Sequence, residues 1–253
     1  MQDQHVPAIG RWYWPLFAAA ILFASTVGDL LIVELGQRGL SGLFLPALAL
    51  ALAVVLYAEV RDHGASLRWY WLAVIIVMTG SNHLADLTYL FLGLRRIWVC
   101  IGLIVLLIIA HLAFQSDAAR IIALRLQQRP QPTVPLTDVT YWIAMVLTCT
   151  AGTLAADYVS IGLNVGLPVD CLLCLLALAG AAALRRWTTI SRTLTYWLIV
   201  FVLIALGTAI ADLLADDPGV GLGLRTSVAI TGAIFAVLVV LSAERQPAPE
   251  KAG

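Results

Sequence analysis

Apolar residues run through this chain in eight long blocks, near 14–34, 40–58, 70–93, 96–115, 140–161, 166–185, 194–214 and 223–243. Most reach the roughly 20 residues that a helix needs to cross a bilayer's hydrocarbon. The blocks are continuous rather than alternating and lie close together, which argues against the strands of a membrane barrel. The pattern therefore predicts an all-α membrane protein of about eight transmembrane helices. Only Gly93 to Arg96 separate the third block from the fourth, so a tight hairpin is expected there. The first block holds small residues (Ala18 to Ala20, Ala24, Ser25), as a cleavable leader would. It also carries the pattern of three later blocks and lacks a strongly basic start, so it reads as a retained helix.

That shared pattern is an internal repeat. Four aromatic pairs recur, Tyr13-Trp14, Tyr70-Trp71, Tyr141-Trp142 and Tyr196-Trp197, the first two inside an identical Arg-Trp-Tyr-Trp. Fifteen residues after each Trp stands an aspartate: Asp29, Asp86, Asp157 and Asp212. Four residues before each aspartate is a hydrogen-bonding side chain: Ser25, Asn82, Thr153 and Thr208. A glycine-bearing turn (Gly36, Gly93, Gly162, Gly219) and a second apolar block complete each unit. Two spans per unit return the chain to its starting side. All four units are then expected to enter the membrane in the same direction, as parallel repeats with pseudo-symmetry about the membrane normal.

The organisation expected is a first membrane half over 1–115, with repeats at 11–58 and 68–115. A cytoplasmic linker over 116–139 follows, its stretch Ser116 to Gln128 a candidate interfacial helix and its end carrying Pro130, Pro132 and Pro135. The second half, 140–243, has repeats at 140–185 and 194–243, before a polar tail over 244–253. Eleven basic residues, Arg11, Arg61, Arg68, Arg120, Arg125, Arg129, Arg185, Arg186, Arg192, Arg245 and Lys251, fall on the side of both termini. Four, Arg38, Arg95, Arg96 and Arg225, fall opposite. This asymmetry predicts cytoplasmic termini, with the Tyr-Trp pairs at the cytoplasmic interface.

Composition agrees with a lipid solvent: 61% of the residues are hydrophobic and 12% charged. Net charge is zero and no basic patch suits nucleic acid. Against that background a carboxylate in the hydrocarbon is costly and reads as functional by default. Each aspartate lies roughly 22 Å beyond its interfacial Trp, in the outer half of the bilayer. The polar residue four positions earlier shares its helix face. Such an oxygen-rich set of Asp29, Asp86, Asp157 and Asp212, with Ser25, Asn82, Thr153 and Thr208, suits a divalent cation (Mn²⁺, Mg²⁺, Ca²⁺ or Zn²⁺) or a proton relay. The competing reading is interhelical hydrogen bonding with no ligand.

His83, three before Asp86 on the same face, joins the candidate ligands, against a plain interhelical histidine. His83 and His111 fall at depths that disagree by about 10 Å, which argues against a haem between them. His5 and His63 lie in polar flanks. Cys171 and Cys174 form a CxxC, but inside an apolar block, where buried thiols are commonplace. Glu34 and Asp170 fall near the outer face, as an entrance or as solvated groups. No phosphate-binding loop, nucleophile elbow, HExxH or dinucleotide fingerprint is present, so no catalytic residue and no enzymatic role is expected.

The fourfold Tyr-Trp, the polar residue near each aspartate and the two spans per unit resemble a family of uncharacterised bacterial membrane proteins. That family is defined by four tandem copies of a two-helix repeat of unknown function with a characteristic tryptophan. The resemblance covers about 11 to 243 and implies a multi-pass inner-membrane location, but no activity. The chain departs from a uniform repeat at Ala24-Ser25 and at Ser81-Asn82-His83, where the third and fourth units have Gly-Thr. The expected function is a transporter or channel for a small cation, divalent or proton-coupled. The alternative is a non-transporting scaffold or subunit that binds a partner protein, lipid or quinone. Assembly into a homo-oligomer stays open.

Overall fold

The computed structural model describes residues 7, 9–62, 67–115, 137, 139–187, 192–216 and 220–243. The candidate interfacial helix, the proline-rich linker, the polar tail, His5, His63 and Gly219 lie outside the described residues.

Eight α-helices and no strand occur among the described residues: α1 (Tyr13–Gln37), α2 (Phe44–Arg61), α3 (Leu67–Leu92), α4 (Arg96–Gln115), α5 (Val139–Asp157), α6 (Leu167–Trp187), α7 (Arg192–Ala215) and α8 (Leu224–Ala243). Helix α5 runs on into a π-helical turn, Tyr158–Gly162. Six helices are long and apolar enough to cross a membrane: α1, α2, α5, α6, α7 and α8. In α4 the described apolar stretch is shorter, Arg96–Ile109. Helix α3 falls below the mark because it carries Arg68, Thr79, Ser81, Asn82, His83 and Asp86 among its apolar residues.

Burial sorts the helices into two layers. The apolar windows of α1, α5 and α7 are 50%, 61% and 61% buried, those of α2, α6 and α8 only 17%, 17% and 11%. Helices α1, α3, α5 and α7 touch in a closed ring, α1 with α3, α3 with α5, α5 with α7 and α7 with α1. The even helices lie outside it, each against the odd helix that follows: α2 on α3, α4 on α5, α6 on α7, and α8 back on α1. The second helix of each hairpin thus packs mainly on the next hairpin. The ring's core is filled by Phe17, Ile21, Val74, Met78, Met145, Val200 and Ile204.

Glycine lets the ring helices close up. A Cβ on Gly28 would stand 2.9 Å from the carbonyl oxygen of Thr79 in α3, and one on Gly207 would stand 2.5 Å from the Ile21 side chain in α1. Such approaches are the usual way apolar helices gain contact in lipid, where no hydrophobic drive exists between them. The turns differ in detail from the sequence expectation. Gly36 lies within α1, and the left-handed position after it belongs to Gly39 (φ 68°). Gly93 (φ 59°) does make the tight α3–α4 turn, because a Cβ there would strain the backbone.

Candidate functional site

The interior of the ring is built in layers, beginning where the odd helices start. Tyr13, Tyr70, Tyr141 and Tyr196 lie within the first five residues of their helices and turn their phenols inward, each at most 3% exposed. Their hydroxyls form a closed square: Tyr13–Tyr70 2.8 Å, Tyr70–Tyr141 2.8 Å, Tyr141–Tyr196 2.9 Å and Tyr196–Tyr13 2.8 Å. Four hydroxyls and four bonds let each phenol donate once and accept once, so every O–H is satisfied without water. The Trp of each pair packs beside the Tyr of a neighbouring helix, with centroids at 5.8 Å (Tyr13–Trp71), 5.9 Å (Tyr70–Trp142), 5.5 Å (Tyr141–Trp197) and 5.8 Å (Tyr196–Trp14). Oxygens in mutual hydrogen-bond contact leave no opening for a water between them. The tyrosines therefore seal this end, with Trp71 and Trp142 buried beside them.

Beyond the apolar core comes the polar layer. The Asn82 amide donates to Asp29 Oδ1 at 3.3 Å, and Thr153 Oγ1 donates to Asn82 Oδ1 at 3.1 Å. This chain links α1, α3 and α5. The hydroxyls of Ser25 in α1 and Thr208 in α7 are buried at the same register with no hydrogen-bond partner in the protein. An orphaned buried hydroxyl is costly, on the order of 1–3 kcal/mol, so two in one layer mark a place suited to a polar guest.

The aspartates follow one turn further on. Three of them lie near enough to feel the charge of others in the set, Asp29 that of Asp86, Asp157 those of Asp86 and Asp29, and Asp212 those of Asp29 and Asp157, while Asp86 feels Arg96 and His83. They do not form one symmetrical cluster. Asp86 is exposed, Asp29 is held by Asn82, and Asp157 pairs with Arg96 at the start of α4 (3.7 Å). Among the described residues no group of three or more His, Cys, Asp or Glu could hold a metal ion. His83 sits edge-on to the Phe44 ring in α2, with centroids 5.4 Å apart, and so meets the outer helix.

Three features escaped the sequence. Arg96 is a guanidinium among the aspartates, although its position in a four-residue turn suggested only a topogenic charge. The π-helical turn starts immediately after Asp157, and π-bulges recur at functional sites. Asp170 in α6 is fully buried rather than solvated: Cys174 Sγ donates to its Oδ1 at 3.5 Å and its Oδ2 has no partner. Glu34, the other expected entrance carboxylate, is bound by Arg225 of α8 at 2.6 Å, with Arg38 at 3.9 Å.

Comparison with known proteins adds a family likeness without an activity. A family described as a Repeat of Unknown Function (DUF347) matches residues 140–191 and 195–246, which correspond to the α5–α6 and α7–α8 hairpins. The repeat inferred in this part of the chain is therefore a recognised one. No curated protein and no solved structure matches the chain.

Proposed function

We propose that the chain is a multi-pass protein of the cell membrane, made of four parallel two-helix repeats around an axis along the membrane normal, that carries a small cation or protons and is not an enzyme. Two observations support the parallel reading: the tyrosines near the starts of all four odd helices meet in one square, and two of the residues twelve positions later, Asn82 and Thr153, bond to each other across the ring. Both termini lie in the cytoplasm on this reading, by the eleven-to-four basic asymmetry.

The observation that carries the functional reading is the pair of orphaned hydroxyls, Ser25 and Thr208, beside the Asp29–Asn82–Thr153 chain and below the aspartates. Together they make a buried polar layer beside the aspartates, with the apolar core and the tyrosine square between it and the other end of the ring. A cation that keeps part of its hydration, or a proton, suits this layer better than a tightly chelated transition metal. The closed end favours a carrier, which opens its two sides in turn, over an open channel. A second reading has its own support: a sealed, glycine-packed ring also suits a scaffold that moves nothing.

Flux into vesicles separates the two. Wild-type protein is reconstituted with a pH-sensitive dye, or with Na⁺, K⁺, Mg²⁺, Ca²⁺, Mn²⁺ or Zn²⁺ indicators inside, beside Asp29→Asn and Asp212→Asn. The carrier reading expects flux of at least one of these through wild type and its loss in both variants. A wild type silent to all of them leaves the scaffold.

A further inference from the structure

Away from the aspartates, at the opposite end of the molecule, α2 ends and α3 begins around an open cavity of about 560 Å³. Its walls include Val54, Tyr57, Arg61, Asp62, Arg68 and Trp69. Both arginines stand over aromatic faces: Arg61 lies 5.1 Å from the Tyr57 centroid and Arg68 lies 5.0 Å from that of Trp69. The Trp69 indole is fixed in turn, donating to Asp62 Oδ2 at 3.1 Å. The two guanidiniums are therefore positioned before any ligand arrives. They outnumber the single carboxylate, which is already engaged by Trp69.

A stripe of exposed apolar residues leads away from this basic mouth. Leu50, Val54 and Tyr57 are 68%, 59% and 60% exposed and precede Arg61 at intervals of four, three and four residues, on one face of α2. Seven residues separate Val54 from Arg61, roughly 10 Å of helix. Positive charge above and an apolar track below have the polarity of an amphiphile standing in one leaflet. A free anion would use only the mouth.

We propose that this α2–α3 cleft is a binding site for an anionic phospholipid, whose phosphate lies between Arg61 and Arg68 and whose acyl chain lies along Val54 and Leu50. The planar guanidiniums supply forked donors to phosphate oxygens. The aromatic rings sit at headgroup depth, where such rings settle. The site belongs to the leaflet on the arginine-rich side, where anionic headgroups meet juxtamembrane basic residues.

The test uses the full chain in uncharged detergent. Thermal unfolding is followed with added phosphatidylglycerol, phosphatidylcholine or inorganic phosphate. The variants are Arg61→Gln, Arg68→Gln, the double variant and Arg38→Gln, the last an arginine at the other end of α1. Phosphatidylglycerol should raise the wild-type midpoint in a concentration-dependent way, and phosphatidylcholine should not. Each single glutamine variant should weaken the lipid's apparent affinity about tenfold, as expected for losing a charge-assisted hydrogen bond, while Arg38→Gln retains it. If the double variant fails to fold, the two single variants carry the comparison. The proposal is overturned if the cleft variants keep the full lipid-dependent shift. It is equally overturned if phosphatidylcholine matches phosphatidylglycerol, or if inorganic phosphate alone reproduces the shift.

Discussion

The phenol oxygens of Tyr13 and Tyr196 lie 2.8 Å apart, although 183 positions separate them in the chain. This bond closes the tyrosine square and joins the first helix to the seventh, just as α8 joins the end of the described chain back to α1. The ring of helices is thus fastened at its seam by the same interaction that links its consecutive members.

Closure has a measurable consequence. Tyr→Phe at any of positions 13, 70, 141 or 196 removes two hydrogen bonds and leaves one neighbour without an acceptor and another without a donor. Interhelical hydrogen bonds in membranes average about 0.6 kcal/mol, and a buried orphan adds to the loss, so each variant should cost about 1–2 kcal/mol. The four costs should be similar if the square is symmetrical. The double variant Tyr13→Phe/Tyr141→Phe should cost clearly less than the four-bond count implies, because the first change has already broken the circuit. Reversible unfolding in detergent measures all of these. Strict additivity would mean that the square acts as four separate bonds.

Glycines test the closeness of the ring. Gly28→Ala places a methyl group 2.9 Å from a backbone oxygen of Thr79, an atom that moves only with its helix. Overpacking of this kind costs about 1–3 kcal/mol. Gly102, in the exposed part of α4, has nothing within 4 Å of its Cβ position. Gly102→Ala should therefore stabilise by up to about 1 kcal/mol through helix propensity alone. Equal effects from the two substitutions would contradict the close approach of α1 and α3.

Much of this architecture is legible in the sequence because lipid permits few solutions. The apolar blocks fell within a few residues of the helices, and 140–185 and 194–243 overlay the two matched repeat segments. The direction of the tyrosines was not legible. A Tyr in the first turn of a membrane helix suits the headgroup region as well as the helix interior, and spacing alone does not choose. Asn82, Thr153 and Asp29 meet because they share a register, which spacing does reveal. The pairing of Asp157 with Arg96 depends on α4 crossing onto α5 rather than onto its own hairpin partner, a fact of packing that no local pattern carries. Nor does spacing show that Asp170, one of the two carboxylates placed near the outer face, is fully buried.

Topology offers a third expectation. On the eight-span reading, reporter enzymes fused after Arg61, Arg125, Arg186 and the final residue should all report the cytoplasm, because that reading puts each fusion point on the arginine-rich side. A periplasmic signal from any one of them would mean that a hairpin has the wrong number of crossings.

The aspartates give the last expectation, because the structure makes two of them unequal. Asp29 accepts a hydrogen bond from Asn82, and an asparagine in its place keeps an oxygen able to accept the same bond. Asp29→Asn should change stability by less than about 1 kcal/mol. Asp157 instead faces Arg96 at 3.7 Å, with both side chains largely withdrawn from solvent, 17% and 25% exposed respectively. Asp157→Asn removes the carboxylate that faces the Arg96 guanidinium, whose charge Asp86 also feels, and Arg96→Gln leaves a carboxylate uncompensated among other carboxylates. Breaking a partly buried pair from one side costs more than removing both charges together. Each single change should therefore destabilise by about 1–3 kcal/mol, and Asp157→Asn/Arg96→Gln should recover about 1 kcal/mol of the summed loss. Unfolding midpoints of the four proteins in one detergent complete the cycle. If the double variant loses as much as the two singles together, Arg96 does not neutralise Asp157. The guanidinium would then be an interfacial charge that happens to lie near the aspartates.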